Sequence, residues 1–176
     1  MQEIIDEKEF KSIDFSVEEL KKADYEYCTF RGCNFSQVDL STISFTDCEF
    51  VYCDLSSAKL LKTGFKDVTF NSCKLLGLHF DQCHTFLLAM TFTSCQLDLS
   101  SFYQLSMKKT VFDNCSMKEI DFVETDLTEA QFKECDLSGA IFENSVLNKA
   151  DLRSSFNYII DPEINQISKK YFYNIF

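Results

Sequence analysis

The stretch Phe112-Asp-Asn-Cys115-Ser-Met117-Lys-Glu-Ile120-Asp-Phe122-Val-Glu-Thr125-Asp-Leu127-Thr-Glu-Ala130-Gln-Phe132 sets a large apolar residue at every fifth position and a smaller one two places before it. The same spacing runs almost the length of the chain. From Phe15 it passes through Leu20, Tyr25, Phe30, Phe35, Leu40, Phe45, Phe50, Leu55, Leu60, Phe65, Phe70 and Leu75 to Phe80. It resumes two residues out of phase at Leu87 and continues through Phe92, Leu97, Phe102 and Met107 to Leu152.

Neither regular structure explains a period of five. A helix advances about 100° per residue, so a five-residue step lands about 140° from its starting face. In a strand an odd step turns each successive side chain to the opposite face. The chain must therefore turn a corner within every pentapeptide, so that each central residue points to a common axis. The companion series, with Cys28, Cys33, Cys48, Ala58, Thr63, Cys95, Thr125 and Ala140 among its members, lies two before each centre and shares its inward face. The residue between the two points out, and is often Asp or Asn, as at Asn34, Asp39, Asp54, Asp126, Asp136 and Asp151.

Cysteine spacing gives the length of one circuit. Cys33, Cys53 and Cys73 are 20 residues apart, as are Cys95, Cys115 and Cys135. Four pentapeptides per turn make a square coil with one large residue per side, and alternating Phe and Leu around the square would keep its cross-section constant. At an inter-strand spacing of about 4.8 Å, about seven coils give a rod roughly 34 Å long.

Composition agrees. Four Gly and one Pro are too few to turn so many corners, so other residues must make the turns. No apolar run approaches a membrane span, and the acidic start MQEIIDEKEF is unlike a signal peptide, so a cytoplasmic protein without membrane association is expected. Nine cysteines, an odd number, then read as reduced thiols used as small hydrophobes. The net charge of −11 disfavours direct nucleic-acid binding and favours basic partners, although acidity also serves solubility alone. There is no phosphate loop, nucleophile elbow or zinc-ligand spacing, so no enzyme activity, cofactor or metal is expected.

Units such as Cys135-Asp-Leu-Ser-Gly139 and the ADLRS beginning at Ala150 resemble the pentapeptide-repeat family over most of the chain. That resemblance implies a right-handed quadrilateral β-helix with short helical or irregular caps, a single domain over residues 1–176. Its parts would be repeat runs at 15–80 and 87–152, a phase break at 81–86 and a C-terminal cap at 153–176. The stretches FDQCHTFL from Phe80, KKTVFDNCSMKEIDF from Lys108 and FNYIIDPEIN from Phe156 are similar to the microcin-immunity and quinolone-resistance branch. This narrower resemblance implies a dimeric DNA mimic that binds DNA gyrase or topoisomerase IV and protects against gyrase poisons, the homodimer forming through the C-terminal end. The alternative is an interaction scaffold with some other partner. Duplex DNA of 34 Å carries about 20 charges, so the mimicry would be partial, and Lys108, Lys109, Lys169 and Lys170 would have to lie off the contact face.

Three segments depart from the repeat. At the phase break, His84, Phe86 and Leu88 read either as a bulge whose Phe86 or Leu88 fills a core gap or as a partner contact. Cys83 and His84 point oppositely in extended chain and make no catalytic or metal pair. Ser16-Val-Glu-Glu19 has capping-box spacing for a helical turn leading into the first coil. Asp161, Pro162 and Glu163 suit one helical turn over the last coil. Beyond them Tyr171, Phe172, Tyr173 and Phe176 form either an end cap or a self-association surface.

Overall fold

The computed structural model describes residues 3–167. It is an all-β parallel solenoid of about eight turns. Strands of one side stack in register: Ile4–Asp6, Asp24–Glu26, Ser44–Thr46 and Gly64–Lys66 form one sheet. The next side is a seven-stranded sheet from Glu9–Lys11 to Gln131–Lys133. The other two sides are held by single parallel bridges, such as Asn34 to Asp54 on the third and Asp121 to Ile141 on the fourth.

Most corners are built alike. At these the residue two after the centre has positive φ, and most such residues are not glycine: Gln37, Lys62, Leu99, Glu124 and Lys149 have φ of 61°, 58°, 61°, 55° and 59°. An L-residue in this conformation is disfavoured. Its amide, however, bonds the coil above, as Gln37 N–H does to Ser56 O at 3.0 Å and Glu124 N–H to Glu143 O at 2.9 Å. The hydrogen bond offsets the cost, so the turns need no glycine.

The large inward residues stack as expected. Phe92, Phe112 and Phe132 lie parallel on the second side, with centroids 5.2 and 5.0 Å apart. The smaller inward residues add hydrogen bonds to carbonyls of the coil below. Cys73 Sγ donates to Phe50 O, Thr63 Oγ1 to Leu40 O and Ser145 Oγ to Phe122 O. Cys33, Cys53, Cys73, Cys95, Cys115 and Cys135 all occupy this slot before the third side, as free thiols. Burial raises the Cys48 thiol pKa to about 12.

The structure corrects the sequence reading at five points. The repeat begins a coil earlier than Phe15: Ile5 is buried and Phe10 stacks on Phe30 at 4.7 Å. Phe and Leu do not alternate around the lower coils, where Phe45 and Phe50 on neighbouring sides meet edge to face at 5.2 Å. Alternation holds only above the break, where Phe102 and Phe122 on the fourth side oppose Phe112 on the second. Asp14, not Ser16, caps the turn at 14–18: its carbonyl accepts from Val17 and Glu18, and its carboxylate from Ser16. Pro162–Ile164 form a turn rather than a cap helix, and the chain then returns to the ladder, pairing Gln166–Ile167 with Val146–Leu147.

The fifth correction concerns Leu87, which does not open the second inward series. It is 63% exposed with φ 57°, in the left-handed corner slot of a pentapeptide centred on Thr85. Leu88 N–H still closes that corner on Thr85 O, so the two extra residues are Leu88 and Ala89. Pairs that span the bulge are 22 positions apart, as Phe70 with Phe92, and beyond it the step returns to 20, as Phe92 with Phe112. Thr85 is exposed, so this coil has no large inward residue on the first side. Leu78, Met90 and Leu105 are larger than the Cys, Ser, Thr, Ala and Val that fill most of the small-residue series, and all lie in the coils around this gap. Half-buried Leu88 packs on the core beside them.

Two outcomes are expected. Phe112→Ala, between Phe92 and Phe132, destabilises by about 3–5 kcal/mol in urea titration, whereas exposed Glu143→Ala costs under about 0.5 kcal/mol; equal costs would refute the register. A thiol reagent at mildly alkaline pH modifies none of the nine cysteines in the native protein and all nine in denaturant.

Candidate protein-binding surfaces

A rod filled with side chains can act only through its outside. Its carboxylates fall into two kinds. Aspartates just before a centre cap the turn that follows. Asp39, Asp54, Asp121, Asp136 and Asp151 each accept the amide two residues on, from Ser41, Ser56, Val123, Ser138 and Arg153 at 2.9–3.2 Å. Asn34 does the same for Ser36. The side-chain hydrogen bond from Ser41 holds Asp39 below the ordinary carboxylate range, and Ser138 and Arg153 do the same for Asp136 and Asp151. These groups belong to the scaffold. Carboxylates at the corners, such as Glu124, Glu134 and Glu143, are exposed and make no turn.

Charge is unevenly spread along the fourth side. From the coil of Phe80 upward it presents Asp81, Asp121, Glu124, Glu143, Asp161 and Glu163, with no Lys or Arg on its outward positions. Tyr103 and Ile141 lie among them, 39% and 44% exposed. Below the break the same side carries Lys21, Lys22, Lys59 and Lys62 against Glu19 and Asp39. Lys108 and Lys109 stand at the corner between the first and second sides, off the acidic strip. There Lys108 meets Asp126 at 3.1 Å and Lys109 meets Glu129 at 3.8 Å. Surface pairs of this kind add little stability, but they set the local charge.

The second feature is the bulge. The structure brings His84 and Phe86 together: Phe86 N–H donates to His84 Nδ1 at 3.2 Å, with the rings edge to face. Phe86 and Leu87 project as an apolar knob, 64% and 63% exposed. Leu88 turns inward and packs on the core instead. Cys83 is buried while His84 is exposed, so they face opposite ways. A hollow of about 330 Å³ runs beneath the knob, lined by Ser44, Gly64, Lys62 and Lys66 among others. Sequence reasoning missed Leu87 as a surface residue, because its five-residue spacing from Phe92 made it look inward. Tyr171, Phe172, Tyr173 and Phe176 lie outside the described residues.

No helix among the described residues is long and apolar enough to cross a membrane. No cluster of His, Cys, Asp and Glu among them is arranged to hold a metal ion.

A family model described as a pentapeptide repeat region matches residues 4–80 and 86–156, leaving out the segment that enters the bulge. Among solved structures the chain is similar to full-length QnrB1, a plasmid-mediated fluoroquinolone resistance protein. Identity is 17%, over 94% of this chain and 92% of that one, with a TM-score of 0.35. It is also similar to HetL from the cyanobacterium Nostoc sp. strain PCC 7120, a pentapeptide repeat protein involved in heterocyst differentiation regulation. There identity is 18%, over 94% of this chain and 86% of that one, with a TM-score of 0.39. None of the curated proteins matches the chain.

The turn-capping aspartates give a pH dependence. Their folded pKa values are depressed, so their contribution is full above the unfolded value of about 3.9 and is lost as pH falls through the folded one. The melting temperature is therefore expected to hold near neutrality and drop below about pH 4. Asp136→Asn, which keeps the cap as Asn34 does, lessens that acid loss, whereas Asp136→Ala costs about 1 kcal/mol at pH 7.

Proposed function

This chain belongs to the pentapeptide-repeat family, and from that premise we propose that it is a non-enzymatic interaction rod whose upper fourth side engages a basic, DNA-binding surface of a protein partner, with a type II topoisomerase the first candidate. The observation that carries the reading is the acidic strip. Asp81 to Asp161 spans four coil steps, about 19 Å. One strand of duplex presents about six phosphates in that length, against six carboxylates here. The strip therefore approaches the charge density of a single strand, and the protein is a partial DNA mimic over half its length.

Asp121 is tied into a turn by Val123, which fixes its position. Glu124 accepts from Gln104 Nε2 at 2.7 Å, and exposed Glu143 can adjust to cations on the partner. Phe86 and Leu87 protrude from the neighbouring first side, so a partner gripping that edge meets charge and an apolar knob together. The likeness of the segment from Phe80 to the quinolone-resistance branch makes gyrase the partner to test first. A second reading rests on Lys21, Lys22, Lys59 and Lys62 below the break, which no duplex would present. They favour a scaffold whose partner is itself bipolar.

Purified protein in gyrase supercoiling and quinolone-cleavage assays tests this directly. Wild type is expected to inhibit supercoiling or reduce cleavage complexes, and the effect should weaken as salt rises. Glu124→Lys with Glu143→Lys should lower potency by about tenfold or more, with the fold intact by circular dichroism. No effect of the wild type at concentrations well above the enzyme rejects topoisomerase binding and leaves the scaffold reading.

A further inference from the structure

Three of the four glycines, Gly32, Gly77 and Gly139, occupy corners with positive φ. Gly64 is different: it opens the strand Gly64–Lys66 on the first side, at an outward position, and its φ is not positive. A glycine inside a strand weakens it, and such a position often marks the close approach of a ligand or another chain. The rod itself does not demand this glycine. The nearest neighbours of a methyl group placed at Gly64 would all be atoms of Ser44, the closest being Oγ at 2.6 Å, and that hydroxyl can rotate away.

Gly64 forms the floor of the hollow beneath the knob, about 330 Å³ in volume. Lys62 and Lys66 flank it in the chain, and both line the hollow. Among the described residues neither makes an ion pair, whereas Lys108 and Lys109 above the knob are each matched to a carboxylate. Ser44 lies one coil below, paired with Gly64. One coil above, His84 and Phe86 close the hollow from the knob. His84 Nδ1 accepts from Phe86 N–H at 3.2 Å, so the neutral ring carries its proton on Nε2 and has a donor to offer. The carboxylate in the lining, Asp24, stands two coils below Gly64, about 10 Å away along the rod.

We propose that this hollow binds a small planar aromatic molecule carrying one oxyanion, a carboxylate or a phosphate. The oxyanion rests over Gly64 between Lys62 and Lys66, within reach of the Ser44 hydroxyl and His84 Nε2–H, and the aromatic part packs against Phe86. Charge selects the anion, because two lysines converge on a floor with no carboxylate beside it and hydrogen bonds from cations to an oxyanion are the strong kind. Phe86, 64% exposed, selects the ring, since it offers an aromatic face that only solvent covers. Asp24 limits the ligand to a single anionic group, as a second one reaching down the first side would meet a like charge. The hollow is at the small end for ligand sites, of a size for one or two fused rings or a mononucleotide. It lies on the first side and stands whatever partner the fourth side engages.

Isothermal titration calorimetry of the full chain with naphthoate and with adenosine monophosphate tests this and tells an aryl acid from a nucleotide. At least one of the two is expected to bind saturably at one site per chain. Naphthalenemethanol and adenosine, which lack the anion, and inorganic phosphate, which lacks the ring, should bind at least about tenfold more weakly. Lys62→Gln with Lys66→Gln should weaken the bound probe by about tenfold or more, and Phe86→Ala should weaken it without changing the response to inorganic phosphate. Gly64→Val fills the floor. It is expected to abolish binding while the rod melts at the same or a higher temperature, because a β-branched residue suits a strand. Circular dichroism checks the fold of each variant, and the lysine pair keeps the test decisive if Gly64→Val fails to fold. No binding of either probe at millimolar concentration overturns the proposal. Binding that survives the lysine substitutions, or inorganic phosphate bound as tightly as the aromatic probes, overturns it as well.

Discussion

The whole molecule depends on turning the chain four times in twenty residues so that each coil lies squarely on the one before. That requirement places a left-handed residue at most corners and binds its amide to the coil above, as at Gln37 and Glu124. It also sets the aromatic rings about 5 Å apart, face to face, as for Phe92 and Phe112. Backbone ladder and core stacking share one spacing, so neither can change without the other. The sparse glycine content follows: where an inter-coil hydrogen bond offsets the strain of each corner, the side chain there is free to vary.

The two added residues at Leu88 and Ala89 show how the constraint absorbs an error. Pairing shifts by two and the stack continues, with Phe70 and Phe92 still parallel at 5.4 Å. Phe86 and Leu87 project at the corner just before the two added residues, and Leu78, Met90, Leu105 and half-buried Leu88 lie in the core near the gap at Thr85. The break also marks an exchange of aromatic sides. Below it the rings of the first side, Tyr25, Phe45 and Phe65, meet those of the second; from Phe80, in the coil that ends at the break, the fourth side takes over. On the fourth side the surface charge changes sign at the same height. Inside and outside therefore divide the rod at one place.

Much of this was legible in the sequence because inward positions repeat. The Phe and Leu ladder, the small-residue series and the twenty-residue circuit all follow from spacing. What failed was local chemistry with two meanings. Ser16 to Glu19 has the spacing of a helix cap, and Asp161-Pro162 that of a helix start, yet Asp, Ser and Pro serve solenoid corners equally well. Leu87 fits the inward period, but spacing cannot tell a side chain expelled at a corner from one pointing to the axis. The candidate surfaces were least legible. An aspartate before a centre looks like surface charge until its hydrogen bond to the next turn is seen, so counting acidic residues overstates what a partner can use.

The gap at Thr85 has a consequence for how the rod comes apart. Each coil touches only its neighbours, so stability is a sum of rung-to-rung interfaces, and the chain melts wherever that sum is weakest. On the first side the large-residue stack is interrupted between Phe65 and Met107, and at that height the rod is held by three columns instead of four. Heat or tension would find a seam there. The coils from Ile5 to Phe80 and those from Phe92 to Leu152 would then behave as two blocks joined at a fault, each cooperative within itself and able to open without the other.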